Sequence, residues 1–308
     1  MSTERNQSNQ LETAVLFLVF NRPDTTAQVF EAIRQAKPPR LYVAADGPRV
    51  NREGEAERVA RVREIATAVD WPCEVKTLFR EENLGCKYAV SGGITWFFEQ
   101  EEQGIILEDD CLPSNSLFCF CETMLEQYRE NKSVWMISGF NPRYPGVSSS
   151  EYFFSQNPSV WGWATWRDRW LNYDVEMTNF SVDKGFSIYS KVPKYVKRYY
   201  QKAFKNTRRG MINTWDYQLT WLIFLNNGYI IKPRANLISN IGVLGTHAGK
   251  RDLNHFVELG NYLVSRKESP EEQVDDAEDF WFYRSRIKKP ITSYPLRAVK
   301  KLWRALAS

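Results

Sequence analysis

An α/β fold built on a mostly parallel central sheet is predicted by three features of the sequence. Strand-like and helix-like segments alternate four times between residues 14 and 110. The strand-like segments are continuously apolar, the pattern of strands covered on both faces. Polar residues collect where each of these strands stops. Repeated strand and helix in this order mark a parallel sheet with helices on both faces, and such sheets bind ligands beyond the carboxyl ends of their strands.

Ala14 to Phe20 is an uninterrupted apolar run that ends at Asn21-Arg22-Pro23-Asp24. Pro23 stops the strand, and Asp24 or Thr25 is placed to cap a helix over Thr26 to Gln35. Leu41 to Ala45 is the second strand, ending in Asp46-Gly47-Pro48, and Glu53 to Val69 is a charged amphipathic helix. Cys73 to Phe79 is the third strand. Glu82-Asn83-Leu84-Gly85 then leads into a helix from Lys87 to Glu101, and Gly104 to Leu107 runs straight into Glu108-Asp109-Asp110. Asn21, Arg22, Asp46, Asn83, Lys87 and the acidic triplet therefore fall at or just beyond one edge of the predicted sheet.

The second half is less regular. Pro113 opens a helix to Arg129, and Ser133 to Ser138 is a strand. Tyr144 to Ser150 reads as a loop and Glu151 to Phe154 as a short strand. Trp161 to Trp166 leads into a helix through Trp170, and helical spacing returns over Lys184 to Arg209. Trp215-Asp216 precedes a helix to Asn227, followed by a strand at Tyr229 to Lys232. The expected organisation is one domain over 12–255 and a C-terminal extension over 256–308, with an acidic linker from Glu268 to Asp279 and a basic amphipathic helix.

The net charge of +4 conceals an asymmetry: from Arg284 onward there are eight Lys and Arg and no acid, which leaves 33 bases against 37 acids in residues 1–283. An acidic body argues against a nucleic-acid partner, and a basic tail argues for a polyanionic surface. Leu296, Val299, Trp303 and Leu306 share one helical face with Arg297, Lys300, Lys301 and Arg304 alongside. Such a segment lies on an anionic membrane or packs as a terminal helix. The longest clean apolar run is seven residues, against about 20 needed to cross a bilayer. The expectation is a cytoplasmic protein, peripheral on the inner face of the cytoplasmic membrane. Five cysteines without metal-type spacing read as reduced and mostly buried. Neither a GxGxxG after the first strand nor a GxxxxGK[ST] occurs, so a nucleotide is held by other means.

Three consecutive carboxylates at the end of a buried strand repel one another and resist desolvation unless a cation offsets them. A divalent metal resolves that conflict; a solvated acidic turn is the plainer alternative. With these segments in order, the chain resembles the GT-A class of nucleotide-sugar glycosyltransferases, with its Rossmann-like sheet. The resemblance rests on Phe20-Asn21-Arg22-Pro23, Asp46, Asn83-Leu84-Gly85 and the DxD-like triplet. Trp161 to Trp170, Trp215-Asp216 and Thr246-His247-Ala248-Gly249 are similar in order to elements of the N-acetylglucosaminyltransferase I family. The resemblance spans residues 12 to 250. It implies a Mn²⁺ or Mg²⁺ cofactor with Asp110 as the direct ligand, Glu108 and Asp109 holding the ribose or the sugar, a UDP-linked donor and an inverting transfer.

Asp46 is a candidate to accept from the uracil imide or the ribose hydroxyls, and Arg22 to pack on the base or meet a phosphate; an Asp-Gly turn and a surface arginine are equally compatible. Phe20, Asn21 and Asn83 complete the donor-side candidates, with Lys87 as the weakest because most helix lysines are solvated. Asp216 is the candidate general base, since inversion needs a carboxylate beside the acceptor hydroxyl; it also suits a helix N-cap. His247, on a Gly-rich loop, is placed to complete the metal shell or touch the diphosphate. Trp161 and Trp163 are assigned to an acceptor wall, and Trp166 and Trp170 to the core. The expected activity is hexosyl or N-acetylhexosaminyl transfer to a glycan or lipid-linked glycan of a surface polysaccharide. A sugar nucleotidyltransferase and a non-catalytic carbohydrate-binding protein are the alternatives.

Overall fold

The structure, a computed structural model, describes residues 11–143, 151–181, 192–242, 259–260 and 270–287. Its first half alternates as the sequence predicts: β1 (Val15–Val19), α1 (Pro23–Ala36), β2 (Arg40–Ala45), α2 (Glu55–Ala66), β3 (Glu74–Phe79), α3 (Gly85–Phe98) and β4 (Gln103–Glu108). Next come β5 (Cys111–Pro113), α4 (Asn115–Gln127), β6 (Val134–Ser138), β7 (Tyr152–Ser155), β8 (Trp163–Trp166), α5 (Arg167–Trp170), α6 (Lys194–Arg208), α7 (Asp216–Leu225), β9 (Tyr229–Pro233), β10 (Ile238–Asn240) and α8 (Asp276–Phe282).

Eight strands form one sheet in the order β3-β2-β1-β4-β8-β6-β9-β7. β1 pairs in parallel with β2 and β4, β2 with β3, and β6 with β9, whereas β8 and β7 run antiparallel to their neighbours. The sheet is therefore mostly parallel, with helices on both faces. Side chains alternate across it as strand geometry requires. Val15, Phe17 and Val19 pack on α1, α2 and α4, while Leu16 and Leu18 pack on α3, α5 and α7. Burial of both faces explains why β1 reads as a continuous apolar run.

Helix α7 is apolar all round because it is covered twice. Leu219 and Ile223 face the sheet, and Trp221 and Phe224 face an outer layer formed with α6 through Val196, Tyr200 and Phe204. The edge strand β3 carries Glu74 and Lys76, charges that discourage further strand pairing.

Four local expectations are corrected. No side chain caps α1: Arg22 holds the N-cap position and Pro23 the first turn, where its missing N–H costs nothing. Pro113 does not open a helix but ends β5, which pairs with β10 so that Cys111 faces Asn240. Trp163 to Trp166 form a strand, β8, inserted antiparallel between β4 and β6. Finally, residues 270–287 include no free linker. Asp275 caps α8 by accepting from the Ala277 and Glu278 amides. Asp279 is buried against the Ser155 hydroxyl (2.6 Å) and the Gln156 amide (2.8 Å), and Arg234 reaches Asp275 and Glu278 at 2.8 and 3.1 Å. Asp275, Glu278 and Asp279, which look solvated in sequence, are instead partners of Arg234, Arg143 and Ser155 at the sheet edge.

Candidate active site

Parallel strands place their carboxyl ends on one side, so the termini of β1 to β4 meet there. At the end of β2, Asp46 is buried and its two oxygens accept four hydrogen bonds. Gly47 N and Leu84 N donate to one at 3.0 and 2.9 Å, and the Asn83 amide and Gly85 N to the other at 3.0 and 2.9 Å. Four acceptor positions are the capacity of a carboxylate. Asp46 thus fastens the β2 turn to the loop that starts α3, and in this arrangement it has no lone pair left for a nucleotide. Gly47 belongs to the same junction, because a Cβ there would lie 2.5 Å from the backbone of Glu81 and Glu82. Asn83 spends its other amide hydrogen on the Gly47 carbonyl at 2.8 Å.

At the end of β1, the Phe20 amide donates to Asp109 at 3.0 Å, and the Arg22 guanidinium bridges Asp109 and Asp110. Asn21 faces the other way and donates to Glu55 at 2.8 Å. Glu55 is fully buried and also accepts from the Arg49 amide and guanidinium; Arg49 in turn lies 5.5 Å over the Phe20 ring. Its hydrogen bonds with Arg49, helped by that amide and by Asn21, hold the Glu55 carboxyl down at about 2. Glu55 and Arg49 escaped the sequence reading because the start of α2 looks like a solvated charged face. The signal was its position: Glu55, Val59, Val62 and Ala66 recur on one helical face, and all four are buried.

The acidic triplet is electrostatically strained. Burial, followed by the charges of Asp110, Asp109 and Asp216, pushes Glu108 up to about 8. Asp109 rises to about 7 through burial, partly opposed by Arg22, with Asp110 adding to the rise and the Phe20 amide resisting it. One guanidinium does not neutralise three carboxylates. The excess of carboxylate oxygen is of the kind a divalent cation would offset, and at Asp110 such a cation would share the oxygen that pairs with Arg22. Among the described residues no three His, Cys, Asp or Glu side chains form a ready-made metal cage. The loop after β10 closes over this point: Ile241 N donates to the Asp110 carbonyl at 2.8 Å, and a Cβ on Gly242 would collide with the Asp110 carboxylate.

The second half delivers Asp216 to the same place. It is the first residue of α7, one position inside the N-cap Trp215, and its carboxylate accepts from the Thr214 hydroxyl and from Tyr217 N at 3.0 Å. Its charge is felt at Glu108, at Cys86 and at Tyr173. Cys86, in the first turn of α3, is pushed up to about 12 by burial and then by the charges of Glu108 and Asp216, both of which act on it. Thr214, which carries no chemical signature of its own in the sequence, fixes the Asp216 side chain.

The aromatic assignments need one correction. Trp163 is fully buried and cannot meet an acceptor; it stacks on Trp215 with centroids 5.8 Å apart and also packs near Trp170. It braces the residue that precedes Asp216. Trp166 and Trp170 are buried as expected, the latter stacked on Tyr173 at 4.2 Å, whose hydroxyl donates to the Trp215 carbonyl. Trp161 is half-buried, edge-on to Phe140 at 4.7 Å. Lys87 is taken by Glu176 at 2.8 Å, with the Tyr88 ring beneath it. His247 lies outside the described residues, as does the tail beyond residue 287. All five cysteines are free thiols.

No family model matches the sequence, and no curated protein does. Among solved structures, the chain is similar to a UDP-glucose pyrophosphorylase in its apo form, with 11% identity, 75% of this chain and 93% of that chain covered, and a TM-score of 0.38. A UDP-glucose pyrophosphorylase complexed with UDP-glucose gives 10% identity, 72% and 90% coverage and a TM-score of 0.36. The 4-diphosphocytidyl-2C-methyl-D-erythritol synthase from Anaerococcus prevotii gives 7%, 51% and 72%, and 0.31. No helix among the described residues is long and apolar enough to cross a membrane.

Proposed function

We propose that the chain is a metal-dependent enzyme acting on a nucleotide sugar, and specifically a GT-A glycosyltransferase of inverting type. The observation that carries this reading is that Asp216, from the second half of the chain, lies near enough to the Glu108–Asp110 triplet for its charge to act on Glu108, and for both Glu108 and Asp216 to act on Cys86 at the start of α3. Donor chemistry needs anionic ligands for a cation and acceptor chemistry needs a separate base. Those are the two kinds of carboxylate present.

Asp110 would hold the metal, which when bound would neutralise charge on the departing nucleoside diphosphate. Glu108 and Asp109 face the ribose or the sugar, with Asp109 held in place by the Phe20 amide and Arg22. Asp216, fixed by Thr214, removes the proton from the acceptor hydroxyl as the anomeric carbon passes from the diphosphate to that oxygen. Trp161 is the aromatic left to line the acceptor side. The donor is a UDP-linked hexose or N-acetylhexosamine and the acceptor a glycan or lipid-linked glycan, with the basic C-terminal tail resting on an anionic membrane.

A sugar nucleotidyltransferase is the second reading, and the similar solved structures, UDP-glucose pyrophosphorylases and a 4-diphosphocytidyl-2C-methyl-D-erythritol synthase, lie nearer to it. Against it, only Phe20 to Arg22 separate β1 from α1, and they leave no room for a Gly-rich, Lys- or Arg-bearing phosphate loop. Product analysis separates the two. With a nucleotide sugar and Mn²⁺, a glycosyltransferase releases nucleoside diphosphate and needs no pyrophosphate. Formation of nucleoside triphosphate on addition of pyrophosphate would establish the nucleotidyltransferase instead.

A further inference from the structure

Helix α6 divides its residues sharply. Val196, Tyr200, Ala203, Phe204 and Thr207 are buried in the outer layer against α7, whereas Lys194, Arg198, Lys202, Lys205 and Arg209 are exposed on the far side. Residues 192–211 contain seven Lys and Arg and no Asp or Glu. None of those five exposed bases pairs with an acid among the described residues. The open space of about 350 Å³ between them is lined by four cations and two amides, from Arg198, Gln201, Lys202, Lys205, Asn206 and Arg209. Just past the helix, Met211 is 70% exposed, and Tyr199 on its flank 42%.

A second base-rich, acid-free stretch starts beside this one. Tyr283 and Ile287 pack in the same outer layer as α6, and the charge of Arg284 reaches Tyr195. From Arg284 onward the sequence adds eight bases and no acid. Together the two stretches hold 15 of the 41 Lys and Arg, leaving 26 against all 37 acids in the rest of the chain. Such polarity favours a flat anionic partner met by one face, with the acidic body turned away.

We infer that the outward face of α6 is a docking surface for a bilayer containing acidic phospholipids. The cations meet the headgroups, while Met211 and Tyr199 supply the apolar and amphipathic contacts that reach the interfacial region. A duplex or single-stranded nucleic acid would use the same cations, but it extends beyond one helix and would meet the acidic body. The surface also sits beside the proposed chemistry: the Tyr199 hydroxyl shares a hydrogen bond of 2.7 Å with that of Tyr217, the residue after Asp216. Docking through α6 brings the start of α7, which carries Asp216, toward the membrane.

The inference goes beyond the catalytic reading and is tested without substrate. Full-length protein is floated with phosphatidylcholine vesicles, with and without about one-third phosphatidylglycerol, at about 0.1 M salt. Binding is expected only to the anionic vesicles. The combined variant Arg198→Gln, Lys202→Gln and Lys205→Gln is expected to bind about a hundredfold more weakly, with an unchanged melting temperature because all three side chains are exposed. A tail variant carrying Arg297→Gln, Lys300→Gln and Lys301→Gln separates the two basic elements. Wild-type binding by the α6 variant, including the case in which only the tail variant detaches, overturns the inference. So does an absence of vesicle binding, or tighter binding to duplex DNA than to the vesicles at the same salt.

Discussion

The two halves of the molecule build their share of the site by different means. In residues 11–110 each strand is parallel to the next, so the carboxyl ends converge without further instruction, and Phe20, Arg22, Asp46 and the acidic triplet meet because the sheet brings them together. After Asp110 the chain relies on antiparallel insertions. β8 enters between β4 and β6, and β5 pairs with β10 to draw Ile241 and Gly242 onto Asp110. A regular sheet makes a site by topology; an irregular one must brace each residue, as Trp163, Trp215 and Thr214 brace Asp216.

That contrast can be broken from either side. The largest expected effect is on the first half: Asp110→Ala should lower metal-dependent turnover by about a thousandfold or more, since several kcal/mol of charge stabilisation is lost, and a chelator should do the same to the wild type. Steady-state rates with and without Mn²⁺ check both. Asp216→Asn should lower kcat by about a hundred- to ten-thousandfold while leaving the donor KM within about twofold of wild type. A full rate in that variant would place the base elsewhere.

The structural devices come next. Trp163→Ala should destabilise the fold by about 3 to 5 kcal/mol in denaturant unfolding, and lower kcat only through the position of Asp216. An acceptor KM that rises while stability stays intact would return Trp163 to the acceptor wall. Asp46→Ala strands the Gly47, Leu84 and Gly85 amides and should cost about 3 kcal/mol or more; near-neutral stability with a raised donor KM would show that Asp46 contacts the nucleotide after all. The smallest effect concerns Glu55. Its carboxyl is held at about 2 against a usual 4.5, so it stabilises the fold fully above pH 4.5 and that contribution is lost as pH falls toward 2. Glu55→Gln should flatten the acid limb of the stability profile between those values.

The first half was legible because its determinants are local. Apolar runs of β1, β2 and β4 stop at polar residues, and parallel pairing alone decides where those residues go. Asp46 shows the limit of that reading, since position placed it at the site but only its partners revealed that its acceptors are filled. The second half hid more. Trp163 is equally apolar in a strand, a helix or a wall, and nothing local to Trp161–Trp166 announces pairing with Gln103–Ile106. Asp275, Glu278 and Asp279 look like a linker because their partners Arg234 and Ser155 lie 41, 44 and 124 residues away. Long-range pairing of charge is invisible to composition.

The central claim is that the triplet after β4 receives a nucleotide sugar together with a divalent cation. It is tested most directly by thermal unfolding of wild type and Asp110→Ala with a panel of nucleotide sugars, each with and without Mn²⁺. Only a ligand of the native state raises the melting temperature, by about 2.7 kcal/mol of stabilisation at a hundredfold excess over Kd. A UDP-sugar is expected to raise it in the wild type with Mn²⁺ present, and not in the variant. Equal shifts in both proteins, or no shift with any nucleotide sugar, would contradict the claim.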